Sequence, residues 1–391
     1  MSSSSFTCAH LTDSRRTSTC RAKTRELAPR SRRWGPIRID PRFHSLPACG
    51  VVTSDGYARI REGGPYFDDL SVGQVFDWAP SVTLSSGLAA AHQAILGDRL
   101  RLALDADLCA AVTGLPAPLA HPGLVCDVAI GQSTLVTQRV KANLFYRGLV
   151  FHRFPVIGDS LYTRTEVVGL RANSPKPGRA PTGMAALRMI TIDQADQLVL
   201  DFYRCGMLPA SPEFTPEAGS VPHDDLSGIG ADVPGPAHDP TAQWDGAVFR
   251  TEVPGPHFDP ALAGSVLHST GDVVSSAPEL ARLTLNIAAT HHDSRVGGRR
   301  LVYGGHTIGL ALAQAARLLP NLVTVLGWRS CDHTGPVHEG DTLYSELHIE
   351  SARPTEHGGV LGLRSLVYAV SDTPDEPDRA VLDWRFDALQ F

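Results

Sequence analysis

The residues best suited to chemistry lie between positions 286 and 306. Asn286-Ile287-Ala288-Ala289-Thr290-His291-His292-Asp293 is followed by Leu301-Val302-Tyr303-Gly304-Gly305-His306. Asn286 and His291 are five positions apart, and a turn in that segment would carry both side chains to one pocket. Histidine moves a proton near neutral pH. Asparagine does not titrate, but its amide orients a water or a carbonyl. Gly304-Gly305 ahead of an apolar helix offers unobstructed backbone N–H groups at a positive dipole end, suited to a developing oxyanion such as an enolate. Asp293, Tyr303, His306 and His333 are further candidates for the pocket wall. Plainer readings stand beside these. The His-His-Asp run also reads as a solvated loop or capping segment. Gly304-Gly305 alone reads as a turn or helix start, and His333, in Asp332-His333-Thr334-Gly335-Pro336, as a loop residue. Adjacent side chains rarely converge on one ion, so His291, His292 and Asp293 predict no metal site.

The elements that must position these residues follow from an internal repeat. Pro155-Val156-Ile157-Gly158-Asp159-Ser160-Leu161-Tyr162 resembles Pro336-Val337-His338-Glu339-Gly340-Asp341-Thr342-Leu343-Tyr344, with Asp159 and Asp341 182 positions apart. Val199-Leu200-Asp201-Phe202 recurs as Val381-Leu382-Asp383-Trp384 at the same spacing, and Gly123 and Gly305 share it too. The chain reads as one unit written twice: a leader over 1–64, one unit over 65–210, a Pro/Gly-rich linker over 211–246 and a second unit over 247–391. In each unit a helix comes first and strands follow. Ile308, Leu312, Ala315 and Leu319 line one helical face, and Pro320 stops the helix. Because it is apolar on most sides, the helix is predicted to be buried. Leu343, Leu347 and Ile349 share one strand face, with Tyr344, Glu346, His348 and Glu350 on the other. Leu361, Leu363, Val367 and Ala369 form a second run, and 159–169 and 184–200 play the same parts in the first unit. A buried helix followed by antiparallel strands implies an α+β fold with the sheet wrapped against the helix.

Composition bounds the function. The chain has 391 residues, with 35 Lys+Arg, 41 Asp+Glu and a formal net charge of −6. Residues 1–33 hold eight basic residues against two acids, so this segment is +6 and the remainder −12. An acidic body argues against a nucleic-acid partner. No apolar run reaches the roughly 18–20 residues of a membrane span. The Ser- and Arg-rich leader lacks the apolar segment of a secretory signal. It has the composition of a transit peptide, and its plainer reading is a disordered leader or sequence upstream of the true start. The seven cysteines are scattered with no C-x-x-C pair, which predicts reduced thiols and a cytoplasmic protein. There is no P-loop, G-x-S-x-G, H-E-x-x-H or strand-linked G-x-G-x-x-G.

Taken together, these residues resemble the MaoC-like dehydratases, hot-dog-fold proteins acting on acyl-CoA thioesters. Their signature runs approximately G-D-x-N-P-L-H-x-D. In the first unit, Gly97-Asp98-Arg99-Leu100-Arg101-Leu102-Ala103-Leu104-Asp105 keeps the acid, Asp98, and has Ala103 in place of the histidine. In the second unit Asn286 takes the acid position, and His291 and Asp293 are kept. Within the family the chain is most similar to two-unit hydratases of mesaconyl-CoA-like esters, through residues 96–102, 142–146, 158–162 and 301–306. The resemblance covers about residues 65–391. It implies a double hot-dog fold with a degenerate first unit and a catalytic second unit. The implied reaction is reversible hydration of a short, branched or dicarboxylic 2-enoyl-CoA, with no cofactor beyond the substrate's CoA. Gly305 N–H would polarise the thioester carbonyl, His291 would carry the proton and Asn286 would hold the water. Arg299, Arg300 and Arg329 are candidates for the CoA phosphates. An acyl-CoA thioesterase using Asp98, and a non-catalytic acyl-CoA-binding protein, are the alternatives. A homodimer is a candidate assembly.

Overall fold

The computed structural model describes residues 51–52, 58–59, 63–215, 222–373 and 375–391. Nearly all of the expected leader, with Cys8, Cys20 and Cys49, lies outside the described residues. Two units of the same order follow. In the first, helices α1 (Ser86–Leu96) and α2 (Pro122–Gln132) precede strands β1 (Ala142–Phe151), β2 (Ser160–Ala172), β3 (Thr182–Ile192) and β4 (Leu198–Pro209). In the second, α3 (Ala277–Leu283) and α4 (Gly304–Leu318) precede β5 (Leu322–His333), β6 (Thr342–Thr355), β7 (Gly358–Ala369) and β8 (Arg379–Gln390).

All the long strands join one antiparallel sheet in the order β6-β7-β8-β5-β1-β4-β3-β2, with short strands at both edges. The first strands of the two units, β1 and β5, pair with each other and form the seam, with Tyr146 opposite Cys331 and Leu149 opposite Trp328. Each sheet half curls round its own central helix, which is the double hot-dog architecture. One apolar core runs through both halves, from Leu124 and Val128 on α2 to Ile308 and Leu312 on α4.

The central helices form because Ala-, Leu- and Val-rich runs can bury almost every side. On α4 every residue from Gly305 through Ala316 is buried, and the helix closes just before Pro320. Each helix carries one buried glutamine that anchors it to its sheet. Gln132 Nε2 donates to the Leu161 carbonyl at 3.0 Å, and its Oε1 accepts from Thr163 Oγ1 at 2.7 Å. Gln314 repeats the clamp 182 positions on, with Nε2 on the Leu343 carbonyl and Oε1 accepting from Ser345 Oγ. A buried amide satisfied this way fixes helix rotation, since a slip would strand polar groups in the core.

On β6, Leu343, Leu347 and Ile349 are buried and Tyr344, Glu346, His348 and Glu350 are not, the alternation expected for a half-buried strand. The run 184–200 is not one strand. It turns over residues 193–197, where the Asp193 carboxylate accepts from the N–H groups of Ala195 and Gln197 and Asp196 takes φ 59°. No glycine or proline marks that turn, so its apolar flanks read as continuous. Between residues 222 and 245 the described chain forms no helix or strand but packs on the sheet. Leu226 lies against Gly169, and the Asp224 carboxylate accepts from Leu170 N–H at 2.8 Å. Cys109, Cys126, Cys205 and Cys331 are buried free thiols. Among the described residues no helix is long and apolar enough to cross a membrane.

Candidate active site

A cavity of about 290 Å³ lies where the N-terminus of α4 meets the loop 284–303, the end of β5, and strands β1 and β4 of the first unit. Leu285, at φ 60°, turns the chain out of α3 and over the first unit. There Ile287 N–H donates to Thr134 Oγ1 and Ala289 N–H to the Gln138 carbonyl. The turn brings Asn286 and His291 onto one cavity wall. The Asn286 Oδ1 accepts from Ala288 N–H at 3.0 Å, which fixes the amide plane. Its Nδ2 makes no hydrogen bond among the described residues, and the residue lines the cavity.

His291 follows on a short 3₁₀ turn, Ala289–His291. Its Nδ1 lies 2.8 Å from the Leu301 carbonyl. A carbonyl only accepts, so Nδ1 carries the proton and Nε2 keeps a lone pair. Burial pushes the imidazole down to about 4, helped by the neighbouring His292 and Arg204 and opposed by the Leu301 bond. His291 is therefore neutral near pH 7, the state a general base requires.

Opposite stands the start of α4. Gly304 lines the cavity, and neither the Gly304 nor the Gly305 N–H has a partner among the described residues. A Cβ on Gly305 would lie 2.0 Å from Asp127 Oδ1 and 2.5 Å from the Tyr303 ring; one on Gly304 would lie 2.7 Å from the His333 ring. Both glycines are places where other groups press on the helix. Tyr303 is 2% exposed and donates its hydroxyl to Asp127 Oδ1 at 3.0 Å. Asp127 is held from its other side by His92 Nε2 at 3.2 Å. Tyr303 thus joins the second unit's site to α2 of the first.

Asn286, His291, Tyr303, Gly304 and His333 come together on the cavity, and Gly305 lies directly behind Gly304. His333 ends β5 with its Nε2 buried and unpartnered, and burial beside His291 pushes it down to about 4. The structure places the other candidates elsewhere. Asp98 lies in the first unit, 2.9 Å from His121 Nε2, and accepts from Leu100 N–H at 2.7 Å. Burial alone would raise its carboxyl, but His121 and the backbone N–H bonds hold it below the usual range. Asp293 caps the turn Ser294–Val296 and pairs with Arg295 at 2.6 Å, which lowers its carboxyl to about 2. Its position in the motif has a local cause: it shapes the loop. His306 is fully buried on α4 with both ring nitrogens unpartnered. Arg299, Arg300 and Arg329 face Asp341, Glu339 and Glu350 on exposed surfaces, and none lines the cavity.

Reading the sequence missed the contribution of the first unit: Lys141, Asn143, Tyr146 and Arg204 line the same cavity. One signal was available. Arg204 sits on β4 where the position 182 residues on is the apolar Phe386. Among the described residues no Asp or Glu lines this cavity.

No family model matches the chain. It is 81% identical to a conserved hypothetical protein from Mycobacterium tuberculosis with a double hot-dog fold, at a TM-score of 0.82 over 85% of this chain and 100% of that one. A structure described as a MaoC domain protein dehydratase from Chloroflexus aurantiacus is 26% identical, at a TM-score of 0.70 over 84% of this chain and 97% of that one. A relative from the same organism, named β-methylmalyl-CoA dehydratase, is 29% identical over 328 residues, which is 80% of this chain and 89% of that protein. With its two hot-dog units and a histidine cavity at the second central helix, the chain belongs to the MaoC-like double hot-dog family.

Proposed function

We propose that the chain is a hydro-lyase that reversibly hydrates a short 2-enoyl-CoA thioester, branched or dicarboxylic, of the mesaconyl-CoA kind. One observation carries the reading: a neutral imidazole with a free Nε2 faces the same cavity as Gly304, whose N–H, like that of Gly305 behind it, has no partner at the helix N-terminus. The name of the relative that dehydrates β-methylmalyl-CoA agrees with it.

In the hydration direction the Asn286 amide holds a water near His291. His291 Nε2 takes a proton as the water oxygen bonds to Cβ. The π electrons move onto the thioester oxygen, and the enolate accepts from the Gly304 and Gly305 N–H groups. The imidazolium then returns its proton to Cα, and the carbonyl re-forms. Protons balance within the cycle, and no cofactor enters it. Lys141, exposed at the cavity mouth, suits the CoA phosphates better than the three surface arginines that face acids. General-base help of this kind is worth roughly 10²–10⁴-fold and an oxyanion donor about 10²–10³-fold. The thioesterase alternative needs a carboxylate at the site, and among the described residues the cavity wall has none.

The test is a hydration screen on mesaconyl-, crotonyl- and longer enoyl-CoA esters, following loss of enone absorbance. His291→Ala is expected to lower kcat by roughly 10²–10⁴-fold with an unchanged circular dichroism spectrum. Near-normal hydration by His291→Ala, or release of free thiol in place of enone loss, would sink the proposal.

A further inference from the structure

Arg204 is the feature that the proposed reaction leaves unused. It is 4% exposed and stands on the cavity wall, between Tyr203 and the buried Cys205 on β4. Its Nη2 donates to Thr137 Oγ1 at 2.5 Å and to the Ser133 carbonyl at 3.3 Å, and its Nε has no partner. Among the described residues no carboxylate pairs with it. Taking a guanidinium out of water without a counter-charge is expensive, and arginine does not escape the cost by losing its proton.

The repeat shows that the scaffold does not ask for this arginine. Tyr146 and Arg204 face each other across β1 and β4 as Trp328 and Phe386 do across β5 and β8. There Phe386 stacks on Trp384 at 3.8 Å, in an apolar cluster. The same fold position is thus an aromatic core residue in one unit and a buried cation in the other.

A second orphan lies beside it. The irregularity between Asn143 and Phe145 in the pairing of β1 with β4 puts Asn143 on the cavity wall with Tyr146. Its Oδ1 and Nδ2 are both buried and both unpartnered. Buried polar groups without partners need an explanation, and beside a cavity a ligand that completes the bonding is one.

We infer that Arg204, assisted by Asn143, forms a subsite for a carboxylate at the far end of the acyl chain. The substrate class is then a dicarboxylic acyl thioester. This rests on the proposal that the cavity receives an acyl-CoA. The anion belongs to the acyl chain because about 290 Å³ holds a short chain and not the CoA nucleotide, whose phosphates stay outside. A wall with no acidic side chain favours the same charge.

Calorimetry with two unreactive saturated esters tests it apart from turnover: methylsuccinyl-CoA and its neutral counterpart 2-methylbutyryl-CoA. The native chain is expected to bind the dicarboxylic ester roughly 10–100-fold more tightly, the range for a charge-assisted pair. Arg204→Gln should erase the preference, and Arg204→Lys should keep part of it. Should Arg204→Gln fail a melting check, Arg204→Lys and Asn143→Ala carry the test, each reducing the ratio. Equal binding of the two esters by the native chain overturns the subsite and leaves the hydratase reading standing. So does a preference that survives these substitutions, or a loss equal for both esters, which would assign Arg204 to the thioester. Binding of neither ester overturns both.

Discussion

Asn286 and His291 divide between them what an acid and a histidine share in the family signature. The amide can orient a water but cannot take its proton, so in the proposed mechanism the whole burden of base falls on His291. Its imidazole, held down to about 4, has a free lone pair at any pH well above that value. On the acid side, kcat/KM should therefore stay level until the pH falls toward 4, and then drop as Nε2 is protonated. Asn286→Asp changes this in a defined direction. A carboxylate in the same cavity favours the imidazolium and should raise the His291 pKa by about one unit or more. The acid limb then moves to higher pH, which a pH–rate profile of the variant against the native chain reads directly. An unmoved limb would mean that His291 is not the group titrating. These two residues were legible in the sequence because they sit five apart in one loop. Asn143 and Arg204 were not, because only the sheet brings them to that loop, and the one mark on Arg204 is that the repeat has Phe386 in its place. Asp293 was legible for the wrong reason, since its carboxylate is turned to Arg295.

At the scale of elements, the site depends on how closely α4 approaches α2. Gly305 is the contact point, with the Asp127 carboxylate and the Tyr303 ring occupying the space of any side chain. Asp127 cannot retreat without releasing both Tyr303 and His92. Gly305→Ala is therefore expected to destabilise the fold by about 2–3 kcal/mol through overpacking, seen as a lowered melting temperature. It should also displace the unpartnered N–H groups and reduce kcat. Combining it with Asp127→Ala should cost less than the sum of the two single changes, because the substitutions share one collision. If the double variant were additive, the crowding would lie elsewhere. The two central helices and half of the long strands, β2, β3, β6 and β7, were readable at this scale because burial imposes a period on the sequence. The turn over 193–197 was not, because aspartate side chains make it where glycine or proline would have announced it. The repeat spacing, read from three short matches, reappears as bonds: the Gln132 and Gln314 clamps join equivalent atoms of the two halves.

For the whole molecule, that same interface of helices sets an acid limit on stability. His306 is fully buried on α4 with neither ring nitrogen partnered, and burial, with His92 nearby, pushes its pKa to about 4. In the unfolded chain it titrates at the ordinary histidine value of about 6.5. Between those values the unfolded state takes up a proton that the native state refuses. The contribution to stability is complete above about pH 6.5, shrinks as pH falls, and levels off below about 4, over a span worth roughly 3 kcal/mol. Lowered carboxyls such as Asp98 add their own loss at lower pH, so the native curve alone does not isolate the histidine. The difference between chains does. His306→Leu removes the titrating group and leaves no orphaned nitrogen, and its apolar side chain suits the site. The variant should match or exceed the native melting temperature at pH 7 and pull ahead by a few degrees by pH 4.5. Parallel melting curves for the two chains between pH 7 and 4.5 would show that His306 is solvated or partnered in the native state, and would place the acid limit in another group.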